Sequence, residues 1–324
     1  MLFEQNARVA YIGDSITHSA PTTSYIQEYY WKHLKSRRVK VFNLGTGGDT
    51  AEGALTRLEG DILRARPTEA VIMLGTNDIN FRLYVAEPTE AQRAEADELA
   101  ARHLAATEKL VRFLYERGIP VTLCSSIGRD EITPPQNTEI DPPLRSYGAT
   151  ARLATLFAEN CRALSGILKG SVDYLTPMQA LQTGLYAVGG PSLFRVDRIH
   201  ATLLGQQMMA RIFLAAQGLP VTVPSASVLA AGWKEAEMAA PIAERFAVEQ
   251  DLRNIRWVDP HQAAETEGLD LDGRIAYWTR AIEERRGLAR FDWAVPLYGE
   301  YLKHVRQEDE IIARLEAMTD ALYL

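Results

Sequence analysis

The chain opens on a short apolar run, Arg8-Val9-Ala10-Tyr11-Ile12, that stops abruptly at Gly13-Asp14-Ser15. A continuous apolar stretch of this length, ended by a small residue and two polar ones, predicts a buried parallel strand presenting Ser15 at its carboxyl end. The pattern recurs at Val39–Leu44, Glu69–Leu74, Val121–Ser126 and Val172–Leu175, which predicts four more strands. Between them, apolar positions return at helical spacing over 25–34, from Thr50 to Arg66, from Thr89 to Arg117 and from Arg145 to Leu168. Residues 128–143, rich in proline and acids, read as a surface loop. Gly184–Arg195 reads as another, delivering Val196-Asp197-Arg198-Ile199-His200 into a helix from Leu203 to Gln217.

Strands alternating with helices predict a parallel sheet covered on both faces and joined by right-handed crossovers. Gly218-Leu219-Pro220 and the Val/Pro/Ser stretch to Ser227 mark a boundary. Beyond it, 233–247, 274–285 and 302–322 read as helices. The expected organisation is therefore an α/β domain over 1–218 and a helical C-terminal extension over 219–324.

Charge sharpens that division. Residues 1–218 carry 23 acids and 23 bases, whereas residues 219–324 carry 19 acids and 12 bases, so the whole net charge of −7 sits in the extension. A basic surface for nucleic-acid phosphates is missing. No apolar run approaches the ~18–20 residues of a membrane span, and no leader-like segment precedes the first strand, so a cytoplasmic protein is expected. Cys124 and Cys161 stand apart in apolar surroundings and read as free buried thiols.

The candidate chemistry falls where strands end, as sites in open α/β sheets do. Ser15 follows the first strand, Gly48 the second, Asn77 the third, and Asp197 with His200 the last. A serine hydroxyl needs an imidazole to take its proton, and the imidazole needs an anion on its other nitrogen. Asp197 and His200, three apart at a loop-to-helix junction, supply that pair. The N–H groups of Ser15 and Gly48 and the Asn77 amide are candidate donors to an oxyanion. Each residue also has a plainer reading: Ser15 as a helix cap, Asn77 as a turn residue, Gly48 as a backbone hinge.

Asp14, Asp49 and Asp78 read as acids bracing the loops, and His18 as either a pocket or a solvent residue. His33, His103, His261 and His304 read as structural or exposed. The aromatic residues of 277–301 (Tyr277, Trp278, Phe291, Trp293, Tyr298, Tyr301) read as core or subunit packing. Gly45-Thr46-Gly47-Gly48 invites a dinucleotide reading, but Thr50 stands where the third glycine belongs, so no cofactor and no metal is expected.

Gly13-Asp14-Ser15, Asn43 through Gly48-Asp49-Thr50, Gly75-Thr76-Asn77-Asp78 and Asp197-Arg198-Ile199-His200 together resemble the SGNH (GDSL-type) hydrolase family, in its order, over about residues 8 to 215. There are two departures from the family pattern. Ile16-Thr17 replaces its leucine-containing form, and Ala201 stands where a proline commonly follows the histidine. The resemblance implies a three-layer, flavodoxin-like α/β/α sandwich on a five-stranded parallel sheet. It makes Ser15 the nucleophile, His200 the base, Asp197 its orienter, and Gly48 and Asn77 oxyanion donors, with no cofactor.

The expected activity is carboxylic-ester hydrolysis through an acyl-enzyme on a small-molecule ester, with an acetylated carbohydrate as the leading substrate. A lysophospholipase or thioesterase for longer acyl chains is the alternative within hydrolases. A non-catalytic carbohydrate-binding module is the alternative outside them. Residues 219–324, which no part of the family pattern covers, are expected to form a lid or a homodimer contact.

Overall fold

The computed structural model describes residues 1–18, 21–134, 146–261, 269–285, 302 and 305–324. Five parallel strands form one sheet in the order β2-β1-β3-β4-β5: β1 Arg8–Gly13, β2 Lys40–Gly45, β3 Glu69–Met73, β4 Val121–Cys124 and β5 Leu168–Val172. This is the flavodoxin-like order, in which the chain reverses direction across the sheet between β1 and β3. Side chains alternate between the two faces. Val9, Tyr11, Val41, Val71 and Met73 enter one core with helices α2 (Thr22–His33), α6 (Leu175–Ala187) and α7 (Leu203–Ala216). Ala10, Ile12, Phe42, Leu44, Ala70 and Ile72 enter the other with α3 (Ala51–Thr56) and α4 (Glu90–Glu116). Three layers result, as expected.

Several elements differ from the sequence reading. The fifth strand lies at Leu168–Val172, not at Val172–Leu175, because helix α5 (Ala149–Ala163) ends before the expected Leu168. As an edge strand with Lys169-Gly170-Ser171 only partly covered or exposed, β5 lacks the apolar run that marks the central strands. Residues 175–187 then form α6, so the loop before Asp197 begins at Val188 and not at Gly184. Pro177 sits in the first turn of α6, where its missing N–H costs nothing. The helix expected to run from Thr50 to Arg66 is also broken: α3 stops at Thr56 and a π turn over Leu58–Ile62 follows.

After residue 218 come α8 (Ala226–Ala230), α9 (Ala240–His261), α10 (Leu271–Arg285) and α11 (Glu308–Leu322). The helix expected from Trp233 begins instead at Ala240, while that expected over 302–322 is met by helical Leu302, a turn over Val305–Gln307 and α11. Val248, Leu252, Trp278, Ile282, Ile311 and Leu315 give this region its own small core. Of the aromatic residues of 277–301, Tyr277 and Trp278 pack edge to face there, and the other four lie outside the described residues.

Helix α9 lies against the outer edge of β2. Arg245, buried with 1% exposure, donates to the Val41 carbonyl at 2.5 Å and to Thr319 Oγ1 at 2.8 Å. The Asn43 N–H donates to Glu249 Oε1 at 3.1 Å. Gln27 serves the Val41 N–H and the Val39 carbonyl, and the Tyr323 hydroxyl donates to that same carbonyl. Side chains thus occupy the backbone groups that a sixth strand would have used, which closes an edge otherwise open to pairing.

Candidate active site

Strands β2, β1 and β3 are in register at their carboxyl ends, with Gly13 paired to both Gly45 and Met73. The loops carrying Ser15, Gly48 and Asn77 therefore leave the sheet side by side. Ser15 starts a single helical turn, α1 (Ser15–His18), with Asp14 accepting the Ile16 N–H at 2.8 Å. This turn rests directly on the strand ends. A side chain at Gly13 would lie 2.2 Å from Thr17 Oγ1, and one at Gly45 2.4 Å from the His18 nitrogen. Only glycine leaves room for the turn at both positions.

His200 and Asp197 arrive from the opposite side on a tight loop closed by an antiparallel bridge between Phe194 and Ala201. His200 Nε2 lies 2.8 Å from Ser15 Oγ, and Nδ1 lies 2.8 Å from Asp197 Oδ2. The other Asp197 oxygen accepts the N–H groups of Ile199 and His200, both at 2.9 Å. Burial raises the Asp197 pKa, but the imidazole and those two N–H groups outweigh it and bring the carboxyl down to about 2. An anion is thereby fixed on the far side of the imidazole throughout the neutral range.

Asn77 and Gly48 stand on adjoining, exposed loop tips. The Asn77 side-chain amide donates one N–H to the Asp49 carbonyl at 2.9 Å, joining the two loops, and Gly48 adopts φ +75°. The three acids beside Ser15, Gly48 and Asn77 are all buried, as expected of braces. Asp49 pairs with the Arg57 guanidinium at 2.7 Å, and Asp78 accepts the Ala51 N–H at 2.9 Å. Asp78 also lies 3.0 Å from Nδ1 of His103, a histidine the structure buries rather than exposes. Sequence reasoning missed Arg57 and the pairing of His103, because a salt bridge from α3's end or α4 leaves no local spacing signal. His18 is buried as well.

Burial raises both Asp14 and Asp49, but Asp49 has the Arg57 guanidinium to oppose it. For Asp14, burial carries the value to about 7, the Ile16 N–H and His200 oppose the rise, and Asp78 and Asp49 add to it. A carboxyl whose folded pKa exceeds its unfolded value of ~3.9 binds its proton more tightly in the native state, so stability declines as pH climbs from about 4 to about 7. Asp14→Asn keeps the acceptor for Ile16 and removes the titration. Urea unfolding should show wild type losing stability, on the order of 4 kcal/mol, between pH 4 and 8. The variant should lack that decline, and parallel curves for the two proteins would exclude Asp14 as its source.

Among the described residues no group of three or more His, Cys, Asp or Glu side chains is arranged to hold a metal, and no helix is long and apolar enough to cross a membrane. Residues 11–279 match the model of the GDSL-like lipase/acylhydrolase family. The acetylxylan esterase of Geobacillus stearothermophilus is 26% identical over 178 residues, covering 54% of this chain and 71% of its own length. Among solved structures, a gut microbial diltiazem-metabolizing enzyme superposes with a TM-score of 0.79 at 16% identity, covering 99% of this chain and 95% of its own. Its reach extends past residue 218, where the sequence pattern offered no counterpart. An acetyl xylan esterase superposes with a TM-score of 0.50 at 19% identity, covering 64% of this chain and 98% of its own. At these identities the superpositions speak for the fold, and the family match carries the assignment: this chain belongs to the GDSL-like lipase/acylhydrolase family and is a serine-type carboxylic ester hydrolase.

Proposed function

We propose that Ser15, His200 and Asp197 form the catalytic triad of an esterase that removes small acyl groups, acetyl above all, from a carbohydrate. The observation that carries this reading is the unbroken relay of 2.8 Å contacts from Ser15 Oγ through the His200 ring to Asp197. His200 Nε2 takes the hydroxyl proton as Ser15 Oγ bonds to the ester carbonyl carbon, and the carbonyl π electrons move onto its oxygen. The Ser15 N–H, the Gly48 N–H and the second Asn77 amide hydrogen receive that oxyanion. Collapse of the intermediate expels the alkoxide, which leaves as the alcohol with the proton from His200. Water, deprotonated by His200, then attacks the acyl-enzyme and releases the acid and free Ser15.

Asn77→Ala removes one donor and should cost about 2.7–4 kcal/mol of transition-state stabilisation, read as a fall of roughly 10²–10³ in kcat. A kcat within threefold of wild type would remove Asn77 from the oxyanion site. The acetyl preference draws on the acetylxylan esterase relative. It is tested by comparing acetylated xylo-oligosaccharides and p-nitrophenyl acetate with p-nitrophenyl decanoate. Acetylated oligosaccharides should be turned over best, and a marked preference for decanoate would move the enzyme to the long-chain acylhydrolases.

A further inference from the structure

The triad loop contains a residue whose conformation and contacts a simple connector would not need. Arg198, between Asp197 and His200, has φ +65°, a left-handed conformation that costs a non-glycine side chain on the order of 1–3 kcal/mol. It is 4% exposed, although arginine is seldom buried without a purpose for its donors. Its Nη1 donates to the carbonyls of Asp130 and Thr133, at 2.9 and 2.8 Å. Its own carbonyl accepts the Asp130 N–H at 2.9 Å. Arg198 therefore fastens the triad loop to the segment that follows β4 through three hydrogen bonds.

That segment is itself rigid. Asp130 Oδ1 accepts the N–H groups of Ile132 and Thr133, at 3.1 and 2.9 Å. Asp130 Oδ2 accepts from Gln182 of α6 at 3.1 Å, and Gln182 Oε1 accepts the Leu193 N–H at 2.9 Å. Beside this left-handed residue, the Asp197 carboxylate meets the N–H groups of residues 199 and 200 and the His200 ring together.

We propose that Arg198 is a positioning residue for the esterase, holding the Asp197–His200 turn at a fixed height over Ser15 by clamping it to residues 130–133. Its three hydrogen bonds go to residues 130 and 133, so its effect passes through the placement of the imidazole. This rests on the triad reading above. A misplacement of about 1 Å at a reacting group is enough for a hundredfold loss of rate.

The test uses the full chain with three variants. Arg198→Gly adopts φ +65° without strain but has no guanidinium, Arg198→Ala loses both features, and Arg198→Lys keeps one charged donor. With p-nitrophenyl acetate, Arg198→Gly should lose roughly 10- to 100-fold in kcat with KM within twofold of wild type. Arg198→Ala should lose more, and Arg198→Lys should recover part of the rate. Phosphonylation of Ser15 by a fluorophosphonate should slow in proportion, because that reaction reads Ser15 activation and needs no ester. Circular dichroism run beside each assay corrects for unfolded protein. Wild-type kcat and labelling rate in Arg198→Gly, or losses that merely follow the unfolded fraction in all three variants, overturn the proposal. Ser15→Ala serves as the separate control: its activity judges the triad reading, whereas the Arg198 series judges the clamp.

Discussion

Ser15→Ala should lower kcat for ester hydrolysis by about 10⁴–10⁶-fold while leaving the fold and KM nearly unchanged. The substitution removes the atom that lies 2.8 Å from His200 Nε2 and leaves the Ser15 N–H, the Gly48 and Asn77 loops and the Asp197–His200 pair in place. Stability should hardly move, because one half-buried hydroxyl and one hydrogen bond are lost. His200→Ala should cost a comparable factor. The double variant should be no worse than either single one, because the two groups act in one step and their effects do not add. Steady-state kinetics with p-nitrophenyl acetate decides the matter. Hydrolysis by purified Ser15→Ala above one hundredth of the wild-type rate would assign the chemistry to another nucleophile.

Arg245→Ala should be among the most damaging substitutions outside the active site. It leaves the Glu249 carboxylate buried beside β2 with its cation gone, and it strips the Val41 carbonyl and Thr319 of their donor. Breaking one side of a buried pair costs about 3–5 kcal/mol, a large share of the ~5–15 kcal/mol that holds a protein folded. The midpoint of urea unfolding reads the loss. A second variant separates the ion pair from the edge cap. Replacing both partners, Arg245→Met with Glu249→Leu, should recover much of the loss, since a buried pair exchanged for apolar side chains is close to neutral. The Val41 carbonyl and the Asn43 N–H remain unmatched in that double variant, so it should stay about 1–3 kcal/mol below wild type. A double variant as stable as wild type would show that covering the sheet edge contributes nothing.

The candidate site was legible largely because a strand's end is visible wherever an apolar run stops. Ser15 and Asn77 announce themselves in this way, whereas Asp197 and His200, which follow α6 and a loop, are marked by their spacing of three before a helix; β1, β2, β3 and β4 were found within two residues. Edge strand β5 was misplaced because a strand with one open side needs no continuous apolar stretch. Helix α6 was hidden by Pro177 and Gly184, which break a helical pattern in sequence. In space, Pro177 fits the first turn and Gly184 makes room for Ala226. The role of Arg245 and Glu249 was beyond reach for a different reason. Four residues apart on a helix, they read as a solvated pair, and only the arrival of β2 from some two hundred residues earlier gives them a backbone to serve.

That separation in sequence has a consequence for synthesis on the ribosome. The five strands are complete once residue 172 has emerged, yet beyond Gln27 the groups described at the margin of β2 belong to residues 245, 249 and 323. At about 5–20 residues per second, the nascent sheet waits on the order of ten seconds with that flank only partly covered. Chaperone dependence during translation should therefore concentrate in that interval.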